Sequence, residues 1–285
     1  VLLRDGNVVV SSSVKVTGLW IYPVKSCRGI SLNEVQIGAT GPINDRRWMI
    51  VDEENNFLTL RTVSKLAEIK TALQGPFLHL YAGANKILVD TTQECEQIEE
   101  VTVWNERFLA GVETHDINEA LSDFLSKTVK LVRYQKDSFR DLKTAATDVV
   151  KATMFADGRP ALLTNENSLR DLNRKLLAEG KSPSMMERFR SNIVIDGMEA
   201  FAEDKIVQVQ IGEAIFTNPK LCARCPVVTQ DVETGKVVSK ETHRVLSEYR
   251  KVGPKNGVMF GLNLTPSKLG KIRIGDSVQV LQSVN

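Results

Sequence analysis

The sequence predicts an α+β chain that is mostly β and organised as two successive units, residues 14–135 and 136–283. Three observations carry that prediction. Short apolar runs bounded by Pro, Gly, Asn and Asp crowd the first half, helical spacing is clear in only two places, and strand-like runs resume beyond the polar stretch Lys136 to Lys151. With 285 residues, 42% of them hydrophobic and 25% charged, the chain can bury a sizeable core and does not read as disordered.

Val14 to Val24 reads as a buried strand, and Pro23, Lys25, Ser26 and Gly29 mark the turn that follows. Leu32 to Ile37, Trp48 to Val51 and Phe57 to Thr62 read as further strands. Phe77 to Tyr81 and Ile87 to Val89 flank Gly83-Ala84-Asn85 as a hairpin. Ile117, Leu121, Phe124 and Leu125 recur at helical spacing with Asp116 as N-cap; Leu169, Leu172, Leu176 and Leu177 do so again, ending at Gly180. Later strands are expected at Ala161 to Leu163, Ile193 to Ile195, Val207 to Ile211, Ile215 to Phe216 and Ile272 to Leu281.

Lysine plus arginine, 37, exceed aspartate plus glutamate, 35, by only two. A balance this even argues against a nucleic-acid partner and against a polybasic membrane surface, so any anion site must be local. Four cysteines are too few for a disulfide scaffold, and no spanning apolar run is visible, which favours free thiols in a reducing compartment. The chain opens on Val1 rather than methionine, leaving room for a targeting or anchoring segment upstream.

The strongest chemical pattern is Cys222-Ala223-Arg224-Cys225-Pro226. A structural zinc site needs four ligands, and Cys27, Cys95, His79, His115 and His243 supply no second pair at finger spacing. A thioredoxin-like pair would open a helix, whereas Pro226 holds Cys225 extended and Val227 to Thr229 read as strand. Two readings stay open: an inert buried pair, and a thiolate beside an arginine suited to a soft metal on an anionic cofactor. Lys25-Ser26 offers a phosphate donor set or merely a solvated turn. Asp45-Arg46-Arg47-Trp48, and Arg188, Arg190 and Asn192 around Phe189, place donors at strand mouths or form surface ion pairs. No serine nucleophile elbow accompanies the histidines, and Gly253 to Gly257 reads as an ordinary loop.

Taken in order, Leu19 to Gly29, Asp45 to Trp48, Asn167 to Asn173, Phe189 to Val194, Cys222 to Cys225 and Phe260 to Asn263 resemble the motifs of MOSC-domain molybdoenzymes. Within that group they are most similar to the mitochondrial amidoxime-reducing components and their bacterial counterparts. The resemblance runs from about Val14 to Leu281. It implies an N-terminal β-rich MOSC-associated domain and a C-terminal MOSC β-barrel, with the molybdenum cofactor, Mo-molybdopterin, held between them. Cys225 falls at the metal ligand and Cys222 at a position that does not bind the metal. Lys25, Ser26, Arg46, Asp157, Gly158, Arg159, Arg190, Asn192, Ala223, Arg224 and Asn263 fall where the family contacts the cofactor. Departures occur at Ser191, commonly proline, at Ala223, commonly serine, and at Leu262, commonly glutamine.

That chemistry agrees with the residues. A cysteine thiolate with dithiolene sulfurs gives a soft donor set, and a two-electron metal removes the need for a catalytic triad. A buried phosphate dianion must be paired, which explains why Lys25, Ser26, Arg46 and Arg190 should converge. The resemblance implies a reductase of N-hydroxylated small molecules, such as amidoximes and hydroxylamines, that removes oxygen from the N–O bond. Its electrons are expected from cytochrome b5 and NADH-cytochrome b5 reductase, or from a flavoprotein in a bacterium, since no flavin or nicotinamide fingerprint is present. The implied place is the cytosol-facing outer mitochondrial membrane, through a segment outside this chain, or the bacterial cytoplasm. The rival readings are a cofactor carrier related to molybdenum-cofactor sulfurases and a metal-free dithiol or interaction module.

Overall fold

The computed structural model describes residues 3–4, 7–8, 13–135, 153–252 and 257–284; the expected domain junction and most of the Gly253 to Gly257 loop lie outside them. A nine-stranded sheet dominates. Its hydrogen-bonded order is Val278–Ser283, Ile206–Ile211, Ala214–Ala223, Gly257–Lys268, Ala161–Asn165, Ile193–Asp196, Lys15–Ile21 and Ile30–Ser31, with Lys251–Val252 added beside Gly257–Lys268. Neighbours are antiparallel except Ala161–Asn165 and Ile193–Asp196, which run parallel because the helix Glu166–Ala178 carries the chain back between them.

First-half strands complete this second-half sheet. Lys15–Ile21 pairs with Ile193–Asp196 within it, and Glu34–Gly38 pairs with Gly270–Arg273 and Gly41–Pro42 in a separate three-stranded sheet. Hydrogen bonding thus crosses the division drawn at residues 135 and 136. The inward alternation of Val16, Leu19 and Ile21 joins Val35 and Ile37 to Leu163, Ile195, Phe216 and Leu264 in one core. The rest of the first half forms a four-stranded sheet, Gln97–Val103, Glu106–Val112, Lys130–Tyr134 and Trp48–Val51, and a three-stranded one, Lys70–Gln74, Phe77–Ala82 and Asn85–Asp90. Trp48, Leu66, Leu80 and Leu121 pack at its centre. The indole N–H of Trp48 donates to the buried Glu113 carboxylate at 2.8 Å, which fixes the strand that follows Arg46 and Arg47.

Both expected helices form and bury an apolar face, although Leu177, expected on the second, is exposed. Leu169, Leu172 and Leu176 pack on Phe189, Val228, Leu246 and Phe260, and Gly180 takes the left-handed turn beyond the helix at φ +68°. The first helix differs at its start: it spans His115–Leu125 with Thr114 at the N-cap, so Asp116 lies in its first turn, where its charge favours the helix dipole. Phe57 to Thr62 is not a strand. Phe57 makes one bridge to Val51, and Thr59 to Thr62 turn back through backbone and hydroxyl hydrogen bonds. Ile272 to Leu281 is two strands, because Gly275 at φ +87° turns the chain between Gly270–Arg273 and Val278–Ser283. Val227 to Thr229 belong to a 3-10 turn, Pro226–Thr229, with proline at its first position.

Candidate functional site

The strand ends and loops between the two halves enclose a cleft of about 150 Å³. Lys25 and Ser26 enter it from the loop after Lys15–Ile21, Arg46 from the turn before Trp48–Val51, and Asp157, Gly158 and Arg159 from the segment before Ala161–Asn165. Arg190 and Asn192 enter from the mouth of Ile193–Asp196, Arg224 and Cys225 from beyond Ala214–Ala223, and Asn263 from within Gly257–Lys268. Segments far apart in sequence therefore bring the expected residues together. Ala223 is the exception among them: it pairs with Met259 in the sheet, and the alternation of an extended chain sends Cys222 and Arg224 into the cleft instead.

Three of these residues hold left-handed backbone: Ser26 at φ +70°, Arg46 at +47° and Arg190 at +52°. For residues with a Cβ this conformation costs roughly 1 kcal/mol or more, and such strain collects at functional sites. The surrounding backbone enforces it. Arg46 N–H donates to Tyr22 O at 2.8 Å, Arg190 N–H to Glu187 O at 3.0 Å, and the bonds Lys25 N–H to Trp48 O and Cys27 N–H to Val24 O bracket Ser26. None of the three is glycine or asparagine, so no local feature of the sequence announced them.

One wall of the cleft is electrically closed. The buried Asp45 carboxylate accepts from Tyr22 N–H at 2.8 Å, from Asn192 Nδ2 at 3.0 Å and from Arg46 Nη1 at 2.8 and 2.6 Å. Arg46 also donates to Asn192 Oδ1 and to Arg190 O. Asn192 completes its set by donating to Trp20 O and accepting from Leu162 N–H. An amide has two donors and two lone pairs, and all four are spent on protein. Asn192 thus positions the wall, and Arg46 brings its own counter-charge. Tyr22 lies under both guanidinium groups, 4.3 Å from Arg46 and 4.2 Å from Arg190, and burial pushes its hydroxyl up to about 12.

The wall formed by Arg190 and Arg224, continuous with the first at Tyr22, is open. Arg190 is enclosed enough that burial, with Arg46 beside it, pulls its guanidinium below the ordinary value, yet it makes no ion pair or side-chain hydrogen bond among the described residues. Arg224 donates to Cys222 Sγ at 3.0 Å and to Phe189 O at 2.6 Å, has no carboxylate partner among the described residues, and leaves its Nε buried and unpartnered. Between the walls, Lys25 Nζ donates to Phe155 O at 2.8 Å and pairs with Asp157 at 2.5 Å. Lys25, with Arg46 and Arg61 behind it, holds the Asp157 carboxyl at about 2.

The donor set fits an anion that carries a soft metal. Cys225 faces the cleft as a free thiol in extended backbone, φ −92° and ψ 169°, beside two guanidinium groups that make no ion pair among the described residues. No group of three His, Cys, Asp or Glu side chains able to hold a metal occurs among the described residues, so a metal here would need further ligands from the group that brings it. Cys222 also lines the cleft as a free thiol, which the sequence left unsettled. Burial pushes the Cys27 thiol up to about 12 and keeps it out of this chemistry.

Residues 13–128 match the MOSC N-terminal beta barrel domain, and residues 150–279 match the MOSC domain. Mitochondrial amidoxime-reducing component 1 of Mus musculus is 31% identical over 93% of this chain and 82% of its own length. The protein of that name from Homo sapiens is 29% identical over 93% and 82%. A molybdenum cofactor sulfurase of Oryza sativa subsp. japonica is 28% identical over 92% of this chain but only 34% of its own. Both halves of the architecture are matched in order, and the chain belongs to the MOSC family of molybdenum-related proteins that includes the amidoxime-reducing components.

Proposed function

We propose that this protein is a molybdenum-cofactor-dependent reductase of N-hydroxylated compounds such as amidoximes and hydroxylamines. The observation that carries the reading is one cleft in which the free Cys225 thiol sits beside Arg190 and Arg224, two cations that make no ion pair among the described residues. When bound, a molybdenum cofactor supplies a two-electron centre suited to removing oxygen from an N–O bond. Cys225 offers the protein's ligand. Arg190 and Arg224 would pair with the cofactor's anionic groups. Asp45 and Asn192 hold Arg46 and the strand mouths in place. Lys25 is held by Asp157 and Phe155 O until a phosphate competes for it. In this proposal an external protein donates the electrons, cytochrome b5 with NADH-cytochrome b5 reductase in a mitochondrial setting or a flavoprotein in a bacterial one. The relatives are named for mitochondria, which supports that placement.

Molybdenum-loaded protein with a reconstituted donor should reduce a simple amidoxime to the amidine, and the metal-free protein should not. The second reading is a cofactor carrier, favoured by the similarity to the sulfurase. It predicts tight cofactor binding with no turnover of any N-hydroxylated compound.

A further inference from the structure

Six cationic side chains line the cleft, and five of them are engaged or enclosed. Lys25 is paired with Asp157, Arg46 with Asp45, Arg159 donates to Thr265 Oγ1 at 3.2 Å, and Arg190 and Arg224 belong to the open wall. Arg61 is the sixth. It is exposed, makes no ion pair or side-chain hydrogen bond among the described residues, and takes no part in the proposed contacts to the cofactor.

An exposed arginine is ordinarily a solvated surface group, but this one is held in place. Its backbone lies in the turn Thr59 to Thr62, where Arg61 N–H donates to Thr59 Oγ1 at 3.2 Å and Gln230 Nε2 donates to Leu60 O at 2.9 Å. Its guanidinium carbon lies 4.5 Å from the ring centre of Trp104, at the tip of the hairpin formed by Gln97–Val103 and Glu106–Val112. Trp104 is 42% exposed, holds left-handed backbone at φ +56°, and meets Phe57 edge-on at 5.0 Å. Segments distant in sequence thus converge to hold one cation at the cleft. Stacking covers the flat face of a guanidinium and leaves its edge N–H groups free, in the planar fork that matches a carboxylate. A side chain already held loses little further freedom on binding. Asp157, the acidic residue lining the cleft, is taken by Lys25, so the acceptor for Arg61 comes with a ligand.

We propose that Arg61, held by Trp104, is a specificity-determining residue that captures a carboxylate on the body of the substrate while the N-hydroxylated end enters the cleft that holds Cys225. This rests on the N-reductive reading and adds a substrate class to it, N-hydroxylated compounds that also carry a carboxylate. The contact is ionic and made by the non-reacting part of the molecule, so the preference resides in KM and in affinity rather than in the redox step, and it weakens with salt.

The test uses the full chain loaded with cofactor, with benzamidoxime and 4-carboxybenzamidoxime as probes that share one reacting group. In Arg61→Gln the ratio of kcat/KM for the carboxylate probe to that for the uncharged one should fall about tenfold or more, with molybdenum content equal to wild type. Arg61→Lys, which keeps the charge without the fork, should fall between the two. Trp104→Leu should lower the ratio by less, and should add nothing in the double variant with Arg61→Gln, because the cation it positions is gone. Calorimetry with the unreactive amidines should agree: 4-carboxybenzamidine binds wild type more tightly than benzamidine does, and Arg61→Gln removes that difference. An unchanged ratio overturns the proposal, and so does molybdenum lost from Arg61→Gln, which would assign Arg61 to the cofactor. If wild-type protein reduces neither probe, the N-reductive reading fails and calorimetry alone decides Arg61: a carboxylate advantage lost in Arg61→Gln supports the site, and equal affinity of wild type for the two amidines overturns it.

Discussion

The two walls of the cleft treat charge in opposite ways. On one, Asp45, Arg46 and Asn192 pair with one another, and Asn192 has no donor or acceptor left to offer a ligand. On the other, Arg190 and Arg224 make no ion pair with a carboxylate among the described residues, and Arg224 keeps a buried donor unused. The difference teaches how to tell scaffold from binding capacity among residues of the same type in one cleft. A cation whose counter-charge comes from its own sequence neighbour, as Arg46 has Asp45, is committed to structure. A cation that is enclosed and unpaired awaits an anion.

That contrast can be broken most strongly at the open wall. Cys225→Ser should lower N-reductive turnover by more than about a hundredfold, since even the outer partners of a metal site cost 10 to 100-fold when removed. Cys222→Ser, at a sulfur that accepts from Arg224 and donates to Ala223 O at 4.0 Å, should retain most activity. Equal loss at both would favour a paired-thiol mechanism.

At the closed wall the largest effect should be on stability. Asp45→Ala strands the Arg46 charge and removes the acceptor of Tyr22 N–H and Asn192, so unfolding should become easier by about 3–5 kcal/mol, read in a denaturant titration. Arg190→Ala should invert that pattern. It breaks no ion pair among the described residues, so stability should change little, while retention of the anionic cofactor should weaken about tenfold or more in a dialysis assay of molybdenum content. A destabilised Arg190→Ala with full retention would move Arg190 to the scaffold.

The smallest effect is expected between the walls. Asp157 is held at about 2 in the folded protein, below an unfolded aspartate near about 3.9. Its pairing with Lys25 therefore contributes stability above pH about 4 and loses it as pH falls through about 2. The Asp157 side chain is 68% exposed, so solvent screening limits the contribution to under about 1 kcal/mol. Asp157→Asn should lower Tm slightly at pH 7 and match wild type near pH 2; a gap that widens in acid would contradict the assignment.

Much of the site was legible because its motifs are local. Lys25-Ser26, Asp45-Arg46, Phe189 to Asn192 and the Cys222 to Cys225 segment each sit at a strand end, and sheet order brings strand ends together. What was not legible depends on contacts between segments. Nothing near Asn192 in sequence shows that Trp20, Asp45, Arg46 and Leu162 consume its amide. Val227 to Thr229 read as strand from its β-branched residues, but Pro226 and the packing of Val228 on Leu246 and Phe260 select a 3-10 turn. The helix Glu241–Tyr249 and the hairpin strands Gln97–Val103 and Glu106–Val112 escaped notice because exposed charged residues interrupt their apolar period. The pairing of Lys15–Ile21 with the second half has no sequence trace at all; it follows from long-range strand order.

The central claim is that Cys225 supplies the protein's sulfur to molybdenum in this cleft. X-ray absorption at the molybdenum edge measures that directly on purified, cofactor-loaded protein. The account predicts that Cys225→Ser removes one sulfur scatterer from the metal relative to wild type, while Cys222→Ser leaves the sulfur count unchanged. An unchanged count in Cys225→Ser, or the same loss in both variants, would contradict it.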